Sequence, residues 1–415
     1  MADDSYYPRK AQAQLEAALS DTPVVLIHGP RQSGKTTLAR MVGDRRGYMY
    51  VTFDDKVQLE AALSDPVGFI GDLPEKCILD EVQHAPTLFN TIKATVDRRR
   101  TPGRFILTGS ANVLLLPKLS DSLAGRMEIL RLYPLAQCEL ARSSPTFLND
   151  LFSGSFKVRQ WKRLGTNLAE RIVAGGYPAA LAREVPKRRV AWYRDYAETI
   201  VQRDVRSLAR ISALDALPRL IQLAANQTAT LVNIAGLSAP FQLSRPTIRD
   251  YLTLLERVFL LEFLPAWHTN RLSRLVKTPK LHLGDTGLAA ALLGFDASGL
   301  TKDRKALGQL LETFIFQEVR RQVDWSEDQV NLFHFRDKDG AEVDIVLERG
   351  TSEVAGIEVK AAATVTQADF RGLRKLRDSA GEKFVAGVVL YDGEGTVGFG
   401  DGLFAVPVRA LWDQP

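Results

Sequence analysis

"VVLIHGPRQSGKTTLAR", residues 24–40, decides how the first third of this 415-residue chain is built. The apolar run Val24 to Ile27 is short and bounded, the pattern of a strand buried in a parallel sheet. It leads into Gly29, Pro30, Arg31, Gln32, Ser33, Gly34, Lys35 and Thr36, which fit GxxxxGK[ST] at every position, with Thr37 next in line as the helix begins. Gly29 and Gly34 let the backbone wrap closely round phosphates, and successive N–H groups at the helix N-terminus face the anion. Lys35 is spaced to reach the β- and γ-phosphates, and the Thr36 hydroxyl to ligate Mg²⁺. The stretch therefore predicts a bound nucleotide, ATP or GTP, with its magnesium.

Such a site needs an acidic partner. "KCILDEVQH" (76–84) supplies it, an apolar strand ending in Asp80 and Glu81. Asp80 would hold Mg²⁺ through water and Glu81 would polarise the attacking water. "RFILTGSAN" (104–112) is a further buried-strand pattern, whose Thr108 or Ser110 is suited to sense the γ-phosphate. "DSLAGRMEILRL" (121–132) sets Arg126 after a helical stretch and just ahead of a fifth strand. Strands near 24–28, 49–53, 77–80, 104–108 and 128–132, separated by helical patterns, predict a parallel α/β sheet.

The order of phosphate loop, "LDE" (79–81), "LTGS" (107–110) and "LAGR" (123–126) resembles the AAA-type (AAA+) ATPases. In particular it resembles a bacterial and archaeal family that joins this module to a C-terminal domain of unknown function related to PD-(D/E)xK nucleases. The likeness runs over nearly the whole chain. It implies Thr108 or Ser110 as the first sensor and Arg126 as an arginine finger acting on a neighbouring subunit's nucleotide, hence a homo-oligomer. The plainer alternative for Arg126 is a surface salt bridge. The resemblance also implies adenine, and no NKxD-type guanine-reading motif stands out.

From about residue 136 the pattern turns helical. "GGYP" (175–178) is similar to the family's lid segment, and Arg203-Asp204, in "WYRDYAETIVQRDVRSL" (192–208), also matches the family. That pair reads as an ion pair between subunits or domains. Further on, a short helix (232–237) precedes a second one that starts at Ser244, has Pro246 in its first turn, and carries Ile248, Tyr251, Leu252 and Leu255 on one face. "VFLLEFL" (258–264) and "PKLHL" (279–283) suit a wing. The whole predicts a winged helix-turn-helix with Arg245, Thr247 and Arg249 near the start of the recognition helix. Such a module meets either DNA or another protein; the basic run "HTNRLSRLVKTPK" (268–280) favours DNA phosphate.

In the last third, the helix "ALGQLLETFIFQEVRRQV" (306–323) carries Glu312, a hairpin follows with Glu342 and Asp344 on its second strand, and "VAGIEVKAAAT" (354–364) carries Glu358 and Lys360. Successive strand side chains alternate in direction, so Glu358 and Lys360 share a face. Helix carboxylate, strand Asp and strand Glu-x-Lys is the order of the PD-(D/E)xK core. In that chemistry Asp344, Glu358 and the Val359 carbonyl bind Mg²⁺, Lys360 orients or deprotonates water, and Glu312 holds a second metal or water. The alternative is a structural ion-pair cluster.

Composition sets loose bounds. With 54 Lys and Arg against 49 Asp and Glu, the net charge of +5 permits nucleic-acid contact without requiring it. The two cysteines, Cys77 and Cys138, lie far apart without metal-ligand spacing, which fits a reducing compartment. The N-terminus lacks a signal-peptide pattern and no apolar run is long enough to span a bilayer, so the expected location is cytoplasmic, away from membranes. The expected organisation is α/β throughout: an AAA+ core (1–135), a helical lid with connecting helices (136–208), a winged helix-turn-helix (209–285) and a restriction-endonuclease-like domain (286–415). Two functions compete. One is a DNA-associated ATPase with a Mg²⁺-dependent nuclease site. The other is an ATPase switch whose C-terminal domain is a non-catalytic protein-binding or regulatory module.

Overall fold

The structure, a computed structural model, describes residues 6–110, 123–206, 215–241 and 243–413. The chain divides into two compact units, one built on Met1–Leu135 with Arg257–Phe259, the other holding Ala136–Arg206, Ile211–Glu256 and Leu260–Pro415.

In the first unit the strands are β1 (Val24–His28), β2 (Met49–Thr52), β3 (Cys77–Asp80), β4 (Phe105–Gly109) and β5 (Met127–Arg131). They lie within a residue or so of the expected positions and pair in parallel in the order β2-β3-β4-β1-β5. β1, β3 and β4 are buried along their whole length, as apolar runs covered on both faces must be. The helix Leu88–Arg98 buries Leu88, Phe89, Ile92 and Val96, a one-sided stripe that packs on the sheet. The strand order fixes the site. β4 lies between β1 and β3, so the end of β4 falls between the phosphate loop that follows β1 and the acidic pair that follows β3. The helical stretch expected just ahead of Arg126 lies outside the described residues.

The second unit contains two sheets. In the smaller, β6 (Thr230–Leu231), β7 (Leu261–Leu264) and β8 (Lys280–Leu283) run antiparallel in the order β6-β8-β7. The helix Ala216–Asn226 precedes β6, and the helices Ile234–Ser238 and Arg245–Arg257 lie between β6 and β7 in sequence. The larger comprises β9 (Val330–Arg336), β10 (Glu342–Arg349), β11 (Glu353–Lys360), β12 (Phe384–Tyr391), β13 (Val397–Gly398) and β14 (Leu403–Pro407), ordered β13-β14-β12-β11-β10-β9. β9, β10 and β11 are antiparallel, while β12 joins β11 in parallel after the crossover helix Arg371–Ala380. That helix packs so closely that a Cβ on Gly372 would sit 1.7 Å from the Glu342 carbonyl oxygen.

Two features of this unit explain sequence marks. Gly175 and Gly176 of "GGYP" press against buried Asp285, which accepts the Gly176 N–H at 2.8 Å and also caps Leu288. The helix Pro186–Thr199 changes to π winding over Ile200–Val205, the stretch that holds Arg203 and buried Asp204. π segments are rare and occur mostly as short insertions within α-helices. Among the described residues no helix is long and apolar enough to cross a membrane.

Candidate functional sites

The first site surrounds the loop after β1. A Cβ on Gly29 would lie 2.2 Å from the Leu132 carbonyl oxygen, so only glycine admits this close passage. Gly34 has φ +97° and Gln32 φ +60°, left-handed conformations that curl the loop before the helix Lys35–Arg45. Lys35 is buried and its Nζ donates to the carbonyls of Gly29 (3.0 Å) and Pro30 (2.8 Å), inside the curl. Ser33 Oγ is buried with no hydrogen-bond partner among the described residues. An orphaned hydroxyl and an ammonium folded over a glycine curl fit a phosphate chain.

Asp80 is the hub on the metal side. Its Oδ1 accepts from the hydroxyls of Thr36 (2.9 Å) and Thr108, and its Oδ2 from Tyr50 at 2.8 Å. Burial and the Asp80 charge push the Tyr50 phenol up to about 12. Thr36 and Asp80 therefore stand together, as a P-loop hydroxyl and its acidic partner must to share a magnesium shell. Of the two sensor candidates, Thr108 is the one bonded to Asp80; Ser110 is buried one residue beyond the end of β4. Glu81 adopts φ +57°, a strained conformation for a side-chain-bearing residue, and accepts from the Gln83 amide. Arg126 is held by Asp97 through two contacts, from Nε to Oδ1 and from Nη2 to Oδ2 at 3.0 Å. Within one chain, then, the salt-bridge reading of Arg126 is what the geometry displays.

Sequence reasoning passed over the supports. Arg9, 24 residues ahead of Ser33, donates to the Ser33 carbonyl (2.7 Å) and the Tyr133 carbonyl (2.6 Å), tying the loop to the chain after β5. His28 ends β1, where burial, Arg131 and Lys35 lower its pKa from 6.5 to about 3. Below its unfolded pKa the unfolded chain gains a proton at His28 and the folded unit does not. The stability of neutral His28 is thus complete above that pKa and drains away as pH falls toward the folded value. From pH 7.5 to pH 5 the loss amounts to about 2 kcal/mol. The calorimetric transition raised by added ATP identifies this unit. Its Tm should drop on acidification, and drop less in His28→Asn; parallel drops would dismiss the effect.

The second site is the carboxylate cluster of the second unit. Glu312, from the helix Arg304–Trp325, and Asp344, from β10, do converge, but on a residue that the sequence reading placed in a wing. Lys280 of β8 is buried, and its Nζ donates to Glu312 Oε1 (2.7 Å) and Asp344 Oδ1 (2.9 Å). Asp344 Oδ2 accepts the Val359 N–H at 2.9 Å, so the amide of that residue meets the cluster. Glu358 Oε1 lies 3.5 Å from Lys360 Nζ, which also lies 3.6 Å from Asp369, while Glu358 Oε2 is buried without a partner among the described residues.

Electrostatics follow the geometry. Burial alone would lower the Lys280 pKa, yet Asp344 and Glu312 outweigh it and hold the ammonium well above the ordinary lysine range. Burial and the Asp344 charge push Glu312 up to about 8 and Glu358 well above the ordinary carboxyl range. As folded, Glu312 and Asp344 of the expected metal set hold the Lys280 ammonium. The donor set fits an ammonium, and among the described residues no three carboxylate, histidine or cysteine groups are placed to hold a metal ion. Two carboxylate oxygens accept hydrogen bonds from Lys280 where a metal would need bare lone pairs.

The helix Arg245–Arg257 starts as expected, with Ser244 Oγ accepting the Thr247 N–H at 3.2 Å. Arg245 and Arg249 are exposed and Thr247 is half-buried. The basic run 268–280 is partly spent indoors. Arg274 bonds Glu348 at 2.7 Å beneath Trp267 and Phe333, and Lys280 is the buried ammonium just described, leaving Arg271 and Lys277 exposed.

Comparison with known proteins gives a consistent outline. Residues 21–141 match the AAA domain family, 165–299 a domain of unknown function (DUF8612) and 307–411 another (DUF4143). Uncharacterised proteins of Mycobacterium tuberculosis and Mycobacterium bovis are each 29% identical over 406 residues, covering 97% of this chain and 84% of theirs. A Walker-type ATPase of Pyrococcus abyssi is 15% identical, with 70% of this chain and 97% of that one covered and a TM-score of 0.45. The Thermotoga maritima RuvB Holliday junction branch migration motor is 17% identical, with 62% and 90% covered and a TM-score of 0.30. The phosphate loop, its acidic partner and the parallel sheet make the N-terminal part a P-loop ATPase of the AAA type.

Proposed function

We propose that this chain is an ATP-driven switch that engages DNA and carries a C-terminal domain acting as a binding or regulatory module. The observation that carries the reading is the pairing of a complete nucleotide site, centred on Thr36 and Asp80, with a carboxylate cluster already neutralised by Lys280. Bound Mg²⁺ would neutralise charge on the β- and γ-phosphate oxygens. Lys35 would exchange its two carbonyl partners for phosphate, Thr36 and Asp80 would hold the metal, and Glu81 would orient the attacking water. Thr108, bonded to Asp80, would relay the state of the nucleotide. In a homo-oligomer Arg126 would leave Asp97 for a neighbouring subunit's γ-phosphate.

The domain reading follows the same lines, with a core over 1–135, lid helices over 136–208, a winged helix over 209–285 and the C-terminal module over 286–415. What supports the winged helix is the succession of helix, β6, two helices, β7 and β8 with the sheet order β6-β8-β7. Exposed Arg245 and Arg249 at the start of the second of those two helices support DNA contact. The test is duplex DNA binding by anisotropy across a salt series. Arg245→Ala with Arg249→Ala should weaken binding and reduce the slope of log affinity against log salt by about 2. Equal binding by this variant and wild type would remove DNA from the reading of that helix. A nuclease remains the second reading, favoured by the convergence of Glu312 and Asp344 and by Lys360 beside Glu358. Mg²⁺-dependent cleavage of DNA that Asp344→Ala abolishes would restore it.

A further inference from the structure

We infer that a cavity of the second unit, lined by Phe156, Trp161, Lys157 and Arg159, takes one unpaired base of a single-stranded nucleic acid and sets the neighbouring phosphates on the two cations. The cavity shares no residue with the nucleotide site, the helix Arg245–Arg257 or the carboxylate cluster, so it stands apart from the function proposed above.

The stretch "FKVRQWKRL" (156–164) sets Lys157, Arg159 and Trp161 two residues apart, and on extended backbone such residues share a face. The chain here is an extended strap. The Thr396 N–H donates to the Arg159 carbonyl (2.9 Å), the Trp161 N–H to the Glu394 carbonyl (2.6 Å), and Gln160 bridges Gly395 in antiparallel fashion. Lys157, Arg159 and Trp161 accordingly line one cavity of about 240 Å³, while Val158 between them is 82% exposed. The aromatic walls are fixed. Phe156 lies between Phe147 and Phe404, with ring centroids 5.8 and 5.3 Å away, and the Trp161 indole N–H donates to the buried Thr396 hydroxyl at 3.2 Å. Held rings of this kind are stacking surfaces that any base can use. The volume is below the roughly 300–1,000 Å³ that encloses a drug-sized ligand, so the cavity suits one flat ring with its sugar and phosphate outside.

Charge decides what the ring is attached to. Two carboxylates also line the cavity, but Asp150 already accepts the Thr146 hydroxyl at 2.9 Å and Asp413 the Arg409 guanidinium. The charged ends of Lys157 and Arg159 have no such partner among the described residues, so the uncommitted charge is positive. An aromatic slot beside two free cations is how single strands are held, backbone on the charges and base on the rings. A duplex keeps its bases in the stack and offers the slot nothing.

The experiment compares, by anisotropy on the full-length protein, a labelled oligo(dT) with an abasic oligomer of equal length, which keeps the phosphates and lacks the bases. Wild type should bind oligo(dT) roughly 5- to 100-fold more tightly. Trp161→Ala should bring the two affinities together, and Trp161→Phe should keep most of the preference. Lys157→Ala with Arg159→Ala should weaken both oligomers and lower the slope of log affinity against log salt by about 1.4. Arg245→Ala with Arg249→Ala should retain the full preference for bases, which separates this cavity from the duplex contact proposed above. Equal wild-type affinity for the two oligomers, or binding of neither, would overturn the inference. So would an undiminished preference in Trp161→Ala shown by circular dichroism to be folded, or an unchanged salt slope in the double variant of Lys157 and Arg159. Displacement of oligo(dT) by free thymidine monophosphate at equal nucleotide concentration would overturn the single strand as the ligand.

Discussion

Lys35→Ala is expected to reduce ATP turnover roughly 10²–10³-fold and to weaken nucleotide binding as well. The argument starts from where the side chain lies. Its ammonium is buried and held by the Gly29 and Pro30 carbonyls, both of the phosphate loop itself. A carbonyl pair is a weaker partner for an ammonium than an anionic phosphate, so the geometry favours exchange when nucleotide arrives. Removing the ammonium deletes an interaction that strengthens as charge builds on the transferring group, which is where catalysis is gained. Glu81→Gln should separate the two effects, keeping nucleotide affinity while losing turnover, because in the proposed mechanism Glu81 acts on the attacking water and Lys35 on the phosphates. Arg126→Ala should resemble Glu81→Gln if the finger works between subunits. Phosphate release and the affinity of a fluorescent ATP analogue, measured on all three, decide the matter. Turnover in Lys35→Ala within a factor of a few of wild type would sink the assignment of this loop as the catalytic one.

What the sequence disclosed and what it hid follow a physical division. The nucleotide site was legible because its parts are local in the chain: a buried strand, a glycine curl and a helix N-terminus within residues 24–40, then a second strand ending in Asp80. Burial on both faces makes such strands continuous apolar runs, and all five fell close to their expected places. The supports were hidden because they come from afar. Arg9 reaches Tyr133 across 124 residues, and Tyr50 reaches Asp80 across 30. Nothing in either residue's neighbours marks it. Lys280 was misread for a related reason. In "RLVKTPKLHL" it looks like one more charge of a basic run, and only the pairing of β8 turns its side chain inward. The same local view counted Arg274 toward phosphate contact, although it is committed to Glu348.

Asp344→Ala should destabilise the second unit by about 3–5 kcal/mol, the cost of leaving a buried ammonium without its main counter-charge. Asp344 meets two donors at once, Lys280 Nζ and the Val359 N–H, so truncation strands both in an interior from which water is excluded. Glu312 is only a partial replacement: loss of the Asp344 charge eases its ionisation, but burial still raises its carboxyl and nothing takes over the bond to the Val359 N–H. The converse change should be mild. Glu358 is already pushed well above the usual carboxyl range, so Glu358→Gln keeps the shape of a neutral group and should cost little or even stabilise. Removing charge from both sides together, as Lys280→Met with Asp344→Leu, should recover much of the loss, since a buried pair is often no more stabilising than apolar residues of like volume. Urea unfolding followed by tryptophan fluorescence suits the measurement, because Trp161, Trp192, Trp267, Trp325 and Trp412 all lie in this unit. If Asp344→Ala and Glu358→Gln shifted the midpoint equally, the cluster would be responding to generic loss of a carboxylate. The specific role assigned to the Lys280 and Asp344 pair would then fall.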